Sequence, residues 1–463
     1  TVSNGYCNNA SGLYSTVSNG YYNIASGCYS TVSNGWCNTA SSFYSAIING
    51  ICNIASGYLS TISNGYCNIG SGYYSTVSNG NGNTASSYNA TVVNGCCNIA
   101  SGFYSTVSNG YCNTASGNYS TVSNGYCNTA SNQYSTVING LRNTASCSYS
   151  TVSNGYCNIA SAYFSTVVNG YCNTASGNYS TVVNGKCNLA HGVASFIGSG
   201  IYNNVCNSIS SCFATGSVIA GGVGNNTIGG IWSLASCSFT VLPTKVDTYQ
   251  FSTIGGGFQN IAGYADTVSG GYCNTAYAGN STIGGGRKNC ITETCATISG
   301  GYKNLIFLNG GGGTIGGGAR NTINNSYATI TGGSFNTASA GGTTLSGYYN
   351  TASGYYATAM GRKNIASGCE STVSGYCNTA SGCCTGVWGG KCNIASGQWA
   401  GIVGGTLNTA SCYKSYIVGS NITSNRTCTT FVNNLSIMNI PTSSAGLPTG
   451  AVYRSGTTLN IVP

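Results

Sequence analysis

Cysteines are the residues of this 463-residue chain with the most evident chemistry, and there are 26 of them. If units of a short repeat stack as parallel β-strands, cysteines in one column lie about 4.8 Å apart, inside the range for a disulfide, although parallel Cβ vectors leave the sulfurs slightly strained. Disulfide rungs between adjacent units, links between chains, and a ladder of free thiols packed as small apolar groups are the alternatives. Ten cysteines share one column of such a repeat: Cys7, Cys37, Cys52, Cys67, Cys97, Cys112, Cys127, Cys157, Cys172 and Cys187.

The cysteine content also bears on location and on metal binding. Disulfides persist in oxidising surroundings, so this content favours the extracellular space or a virion surface. A metal site is not expected, because no C-x-x-C spacing occurs and His191 is the only histidine. The sequence therefore predicts a protein without a metal or another cofactor.

Catalytic residue types are scarce. A glycosidase needs two carboxyl groups close together, and a Ser-His-Asp or Cys-His site would have to be built around His191 alone. His191 replaces Ser in its column of the repeat, where we expect it to fill an outward position. We therefore expect no catalytic site and no enzymatic activity. The four acidic residues are scattered in the second half of the sequence: Asp247, Asp266, Glu293 and Glu370.

Charged residues make up only 4% of the chain, against about 25% in typical globular domains. The net charge of +9 comes from 13 basic and 4 acidic residues, yet Arg142 is the only charged residue among the first 185. The remaining basic residues are spread from Lys186 to Arg454, whereas nucleic-acid binding needs them clustered on one face. Nucleic acid is therefore not an expected partner. No run of 18 apolar residues occurs, so insertion into a membrane as a helix is not expected either.

The cysteine column belongs to a tandem repeat. The segment Thr1-Val-Ser-Asn-Gly-Tyr-Cys-Asn8 recurs, with substitutions, every 15 residues to about Leu189; its second and third copies begin at Thr16 and Thr31. A unit this short holds two short strands and two turns, and its Thr, Val, Ile, Tyr and Cys favour β-structure. The Asn-Gly pair at 19–20 is typical of a turn that closes the first strand. We therefore predict an all-β fold, a parallel β-solenoid (β-roll) of about 15-residue coils.

Alternation with period two assigns faces to the predicted strands. We expect the least variable residues inside the coil, which are Ser15, Val17 and Asn19 from the first strand and Asn8 and Ala10 from the second. Each buried amide of the Asn8 column would donate to one neighbouring coil and accept from the other; the alternative is that these asparagines only cap turns. This column is asparagine in every unit: Asn8, Asn23, Asn38, Asn53, Asn68, Asn83, Asn98, Asn113, Asn128, Asn143, Asn158, Asn173 and Asn188.

A coil lined by Ala, Ser and one Val buries little apolar area against the entropy cost of ordering its backbone, so more burial must come from outside. Long uncharged stripes face outward, and extended stripes of this kind mark interfaces. They predict an obligate oligomer. A regular outward column of Thr, beginning at Thr1 and Thr16, also fits a flat ice-binding surface, although β propensity alone explains it. The stripes comprise Thr or Ile at 24, 39, 54, 69 and 84, Val or Ile at 48, 93, 138, 168 and 183, and aromatic residues at 14, 43, 44, 73 and 74.

The repeat divides the chain into three segments. Residues 1–193 form a regular solenoid, 194–420 form a looser Gly-rich continuation with loops, and 421–463 form a C-terminal fibre tip or cap. Irregular stretches near 231–250 and 304–313 are expected to be bulges or loops extruded from the stack. Loops of this kind are where ligand specificity usually lies.

Two sets of motifs resemble known families. Thr-Val-Ser-Gly-Gly-Tyr-Cys-Asn-Thr-Ala at 267–276 and Asn-Thr-Ala-Ser-Gly at 350–354 resemble the head repeats of trimeric autotransporter adhesins. That family's heads are parallel β-rolls of 14–16-residue coils assembled as homotrimers. Asn-Ile-Pro-Thr-Ser-Ser-Ala-Gly-Leu-Pro-Thr-Gly-Ala-Val-Tyr at 439–453, followed by Gly-Thr-Thr-Leu-Asn-Ile-Val at 456–462, resembles the C-terminal tips of fibre proteins from bacteriophages and large DNA viruses. Together the resemblances imply a trimeric fibre with a binding tip.

Three functions fit these observations. The first is a structural fibre, a homotrimeric spacer and attachment organ of a virion or cell surface that contacts a host receptor or glycan. The second is a self-assembling extracellular filament or sheath, in which the cysteine column crosslinks chains. The third is a flat surface that binds ice or a glycan.

Overall fold

The structure, a computed structural model, describes residues 1–206, 214–233, 236, 238–436 and 438–462. It divides into two compact units, Thr1–Gly318 and Ala319–Pro463. Every regular element in the described residues is a β-strand. Each unit is a parallel β-solenoid in which equivalent strands of successive coils pair, as Thr16 does with Thr31, and this confirms the predicted fold class. Among the same residues, no helix is long and apolar enough to cross a membrane.

Each coil carries two strands of two residues, which we call the valine strand and the alanine strand after the usual second residue. In the coil that begins at Thr16 these are Thr16–Val17 and Ile24–Ala25. Both pair in parallel with the next coil, with Val17 opposite Val32 and Ala25 opposite Ala40. Equivalent residues of successive coils therefore lie directly above one another.

The first unit contains valine strands, alanine strands and four further strands. The valine strands are Thr16–Val17, Thr31–Val32, Ala46–Ile47, Thr61–Ile62, Thr76–Val77, Thr91–Val92, Thr106–Val107, Thr121–Val122, Thr136–Val137, Thr151–Val152, Thr166–Val167, Thr181–Val182, Phe196–Ile197, Val218–Ile219, Thr253–Ile254, Thr267–Val268, Thr282–Ile283, Thr297–Ile298 and Thr314–Ile315. The alanine strands are Asn9–Ala10, Ile24–Ala25, Thr39–Ala40, Ile54–Ala55, Ile69–Gly70, Thr84–Ala85, Ile99–Ala100, Thr114–Ala115, Thr129–Ala130, Thr144–Ala145, Ile159–Ala160, Thr174–Ala175, Leu189–Ala190, Asn204–Val205, Ile261–Ala262, Thr275–Ala276, Cys290–Ile291 and Leu305–Ile306. The others are Thr227–Ile228, Ile231–Ser233, Ser238–Val241 and Thr244–Lys245.

The second unit repeats the pattern and adds a hairpin near its end. Its valine strands are Thr329–Ile330, Thr344–Tyr348, Thr358–Arg362, Thr372–Val373, Gly386–Val387, Gly401–Ile402, Tyr416–Val418 and Thr430–Val432. Its alanine strands are Thr322–Ile323, Thr337–Ala338, Thr351–Ala352, Ile365–Ala366, Thr379–Ala380, Ile394–Ala395 and Thr409–Ala410. The hairpin pairs Val452–Ser455 with Thr458–Ile461 in antiparallel fashion, inside the segment predicted to be a tip or cap.

The interior of a coil is narrow and mixes apolar with polar side chains. In the Thr16 coil, Val17, Asn23, Ala25 and Ser30 are buried, as the alternation predicts. The prediction for the Asn19 column is wrong, because Asn19 is exposed. The alternation ends at the turn that follows, and the backbone carbonyl of Asn19 accepts a hydrogen bond from the Asn23 side chain at 3.2 Å.

Two corners join the strands, and both use left-handed backbone. The first corner runs from the valine strand to the alanine strand, and the second returns to the next valine strand. In the Thr16 coil the first corner has φ of +107° at Gly20 and +56° at Tyr22, and the second has +57° at Tyr29. A Cβ on Gly20 would overlap the carbonyl oxygen of Gly35 in the next coil. Glycine is therefore required at this position by both conformation and space.

Coil length becomes irregular after residue 194, as the sequence predicts. Phe196 pairs with Val218 and Val218 with Thr253, so these coils span 22 and 35 residues. The longer coil extrudes a β-hairpin in which Ile231–Ser233 pairs antiparallel with Ser238–Val241, which confirms the predicted excursion at 231–250. The stretch 304–313 behaves differently from the prediction, because Leu305–Ile306 stays in the stack and pairs with Cys290–Ile291. Only the following turn is longer.

Candidate binding surface

The side chain of the recurring asparagine makes hydrogen bonds to the backbone of its own turn and to two backbone sites of the next coil. The Asn68 side-chain NH₂ donates to the carbonyl of Asn64 in its own turn at 3.1 Å and to that of Gly80 in the next coil at 3.0 Å. Its side-chain oxygen accepts from the backbone N–H of Asn83 at 2.9 Å. The predicted column is buried from Asn23 onward. The two alternatives therefore coexist, since the Asn68 amide both caps its own turn and bonds to the next coil. The predicted link to both neighbours forms at Asn38, whose NH₂ also donates to the side-chain oxygen of Asn23 in the preceding coil at 3.1 Å, while its own oxygen accepts from the backbone N–H of Asn53 at 3.0 Å.

The sequence pattern predicts a second strand that runs Cys-Asn-Thr/Ile-Ala-Ser, but the structure places the cysteine column at the first corner, before that strand begins. Its members have left-handed backbone, with φ of +56° at Cys52 and +53° at Cys67, and they are half-buried or exposed. The disulfide rungs do not form, because every cysteine in the described segments is a free thiol. In-register residues hold their Cβ vectors parallel, which is unfavourable geometry for a disulfide. Burial and the neighbouring thiols Cys67 and Cys37 raise the pKa of Cys52.

No metal centre emerges from these thiols. Within the residues that the structure describes, no group of three or more His, Cys, Asp or Glu side chains could hold a metal ion. Two pairs of sequence neighbours bring their thiols into contact, with Sγ atoms 3.4 Å apart between Cys96 and Cys97 and between Cys383 and Cys384.

His191 and Asp266 occupy different columns of the repeat. His191 Nδ1 lies 2.9 Å from the Ser176 hydroxyl in the preceding coil, on the outward side of the alanine strands. Asp266 is fully buried and accepts hydrogen bonds from the backbone N–H groups of Gly279 at 3.1 Å and Ser281 at 2.8 Å. Burial raises the pKa of this carboxyl group, despite the opposing effect of those donors. Asp266 occupies the column of buried serines that includes Ser30, which gives it an internal structural position.

Tyrosines at the second corner form a continuous stack of rings. Ring centroids are 5.2 Å apart between Tyr104 and Tyr119, 5.0 Å between Tyr119 and Tyr134, and 4.8 Å between Tyr134 and Tyr149. The planes differ by no more than 15° in these pairs. Each ring in the run therefore covers the face of its neighbour and presents its edge to solvent. The regular recurrence of Tyr in the sequence indicates such a stack, but alternation along a strand does not predict how a side chain at a corner is oriented.

Several basic residues come together at the first corner, although they are spread along the sequence. In the first unit Arg287, Lys288 and Lys303 are exposed there on two successive coils. The Arg287 guanidinium lies 5.1 Å from the Tyr272 ring centroid and 5.9 Å from that of Tyr302. A hydrogen bond with Lys303 lowers the pKa of Tyr302, and the positive charges of Lys303, Arg287 and Lys288 act in the same direction. We call Arg287, Lys288 and Lys303 the cationic corner.

The second unit carries a comparable set at its own first corner. Arg362 lies over the rings of Tyr348 and Tyr376, at 5.6 and 5.4 Å. Lys391 lies 5.7 Å from the Tyr376 ring. The sequence pattern did not reveal either group, because residues a coil apart, such as Arg287 and Lys303, are brought close only when the coils stack.

A cleft of about 590 Å³ lies beside the cationic corner, between the extruded hairpin and the stack. The parallel rings of Phe258 and Tyr272 are 5.0 Å apart and form one side. The Trp232 ring stands at 78° to Phe258, 6.0 Å away, and forms the other. The Gln259 side-chain NH₂ donates to the carbonyl of Gly229 and fixes the amide at the rim. The cleft is lined by Gly230, Ile231, Trp232, Phe258, Gln259 and Tyr272.

Comparison with known proteins identified no relative of this chain. No protein-family model matches the chain, and no curated protein sequence matches it. Function must therefore be argued from the coils, the corners and the cleft.

Proposed function

We propose that this protein is a structural fibre, a rigid β-solenoid spacer and attachment organ of a virion or cell surface, assembled as a homotrimer. The observation that carries the proposal is the long in-register stack of the regular coils up to about residue 190, combined with their nearly uncharged outer surface. Thirteen regular coils at about 4.8 Å per coil extend roughly 60 Å. A stack of this kind provides length and stiffness rather than a catalytic centre.

The alanine-strand face supports assembly with sister chains. Ile24, Ile54 and Ile99 point outward from it and leave 38–40% of their surfaces exposed in a single chain. Apolar side chains repeated along a flat face, with threonines between them, are typical of a surface that another chain covers. The attachment role draws further support from the extruded hairpin, since binding residues commonly lie on loops held by a rigid scaffold.

Light scattering of the full chain tests the proposal. We expect a mass of three times the 46.8 kDa chain mass and discrete rods in electron micrographs. A stable monomer at micromolar concentration would contradict it, whereas end-to-end filaments would favour the crosslinked-sheath alternative.

A matched pair of variants locates the interface. Ile54→Glu/Ile99→Glu places two charges three coils apart on the alanine-strand face, and we expect it to dissociate the trimer because buried unpaired charges are costly. Thr76→Glu/Thr121→Glu has the same spacing on the valine-strand face and should leave the mass unchanged. Dissociation by the second pair alone would reassign the interface to the valine-strand face.

A further inference from the structure

We propose that the first unit binds an acidic polysaccharide, a sulfated or carboxylated glycan, across the cationic corner and the adjoining cleft. Anionic groups would contact Arg287, Lys288 and Lys303, and one sugar ring would enter the cleft beside Trp232. This deepens the proposed attachment role by naming the chemical class of the receptor.

The charge distribution supports an anionic ligand. The three cations of the corner are exposed and lie on coils stacked about 4.8 Å apart, so that they present a short basic row. The nearest acids in sequence are placed elsewhere, with Asp266 buried in the interior and Glu293 at the second corner of its coil. Positive charge held this close attracts a polyanion over a distance of about 10 Å at moderate salt.

Continuity of the corner with the cleft supports a saccharide. Arg287 lies over Tyr272, and Tyr272 also lines the cleft, so that one chain of sugars could contact both. The cleft volume falls within the roughly 300–1,000 Å³ range of ligand sites, and its walls are mostly aromatic with an amide at the rim. Apolar walls suit the C–H faces of a sugar ring, and the amide and backbone groups suit its hydroxyls.

The covered ring faces argue against a single-stranded nucleic acid. Such ligands gain much of their affinity from bases stacked on exposed aromatic faces. Here Tyr272 has Phe258 against one face at 5.0 Å and Arg287 at 5.1 Å over the ring. The Tyr302 ring has Lys303 at 5.3 Å. The corner therefore offers charge and ring edges rather than a stacking platform.

Tryptophan fluorescence provides a local test with the full chain. The chain contains four tryptophans, and Trp36→Phe/Trp388→Phe/Trp399→Phe leaves Trp232 as the only reporter. Titration with a heparin hexasaccharide at 150 mM salt should change its emission saturably. Introducing Arg287→Gln/Lys288→Gln/Lys303→Gln into this reporter protein should weaken heparin binding by about tenfold or more, because three charged contacts to anionic groups of the ligand are lost.

The matched control removes the same charge from exposed positions outside the corner. Lys414→Gln/Arg426→Gln/Arg454→Gln on the reporter background should change the affinity by less than about twofold. An equal loss in both triple variants would overturn the proposal, as it would indicate a general effect of net charge. Absence of a saturable change in Trp232 emission would overturn it as well.

Two other polyanions complete the test. Inorganic polyphosphate and single-stranded RNA of similar charge should bind the reporter protein at least about fivefold more weakly than heparin, because neither places a sugar in the cleft in the same way. RNA binding as tight as heparin binding would replace the glycan with nucleic acid. The mass of the same samples, measured by light scattering, separates the two proposals. A trimer that does not bind heparin would contradict only the glycan proposal. A monomer that binds heparin would contradict only the proposed trimeric fibre.

Discussion

The regular coils up to about residue 190 and the coils from Thr253 to Gly318 share the same corners but differ in interior and surface. Val17 and Ala25 of the regular coils are matched by the bulkier Ile283 and Ile291, all fully buried. The regular coils are almost free of charge, whereas the later ones carry the cationic corner and the cleft. The buried asparagine and the corner glycine therefore define the coil, while core volume and outward chemistry are free to vary.

The largest effect should come from the corner glycine. Gly65→Ala places a Cβ against the carbonyl of Gly80 at a φ of +111°, so we expect a loss of at least about 3 kcal/mol or failure to fold. Gly300→Ala in the later region is the control, because no positive φ applies there and its Cβ would lie 4.0 Å from Gly285. Chemical denaturation measures both. Equal tolerance of the two substitutions would refute the idea that the corner defines the coil.

The buried asparagine should follow. Asn68→Ala removes three hydrogen bonds and leaves the Asn83 N–H and the Gly80 carbonyl with a lost partner, which costs about 2–4 kcal/mol. Amide hydrogen exchange at Asn83 should accelerate markedly. Asn64→Ala, at the exposed asparagine of the same coil, should change stability by no more than about 0.5 kcal/mol.

A pH dependence should distinguish the later coils from the regular ones. The Asp266 pKa is raised by burial, so the folded state favours the protonated carboxyl. This contribution to stability is complete below the ordinary value of 3.8 and is lost as the pH rises through the raised pKa. Asp266→Asn mimics the protonated form, and its melting temperature should exceed that of the parent at pH 7 and approach it at pH 3. A constant difference across this range would show that the carboxyl is not responsible.

The smallest effect concerns buried serines. The Ser30 and Ser60 hydroxyls are buried without a hydrogen-bond partner, and the later coils place Ala296 in the same column. Ser30→Ala should therefore be neutral or stabilising by up to about 1 kcal/mol. Ser135→Ala should destabilise by a similar amount, because this hydroxyl donates to the Asn132 carbonyl at 2.6 Å. Thermal denaturation of the two variants checks the opposite signs.

Sequence periodicity was sufficient for the fold class, the in-register stack and most of the buried set, because identical columns must face identical surroundings. It failed at the corners. Alternation places Asn19 inside and Cys52 within a strand, but the chain turns there with left-handed backbone, and alternation has no meaning beyond a strand end. The cationic corner was hidden for a related reason: Arg287 and Lys303 are separated in sequence by a full coil and meet only because their coils stack. The cleft depends on where a hairpin folds back, which no repeat encodes.

Parallel pairing of successive regular coils in the first unit has a consequence for how such a protein changes length. Each coil offers its successor the same pattern of carbonyls, amide protons and asparagine side chains, so inserting or deleting one copy leaves both new neighbours correctly matched. The length of the stack can therefore change in steps of one coil, about 4.8 Å, while the coils on either side keep their arrangement.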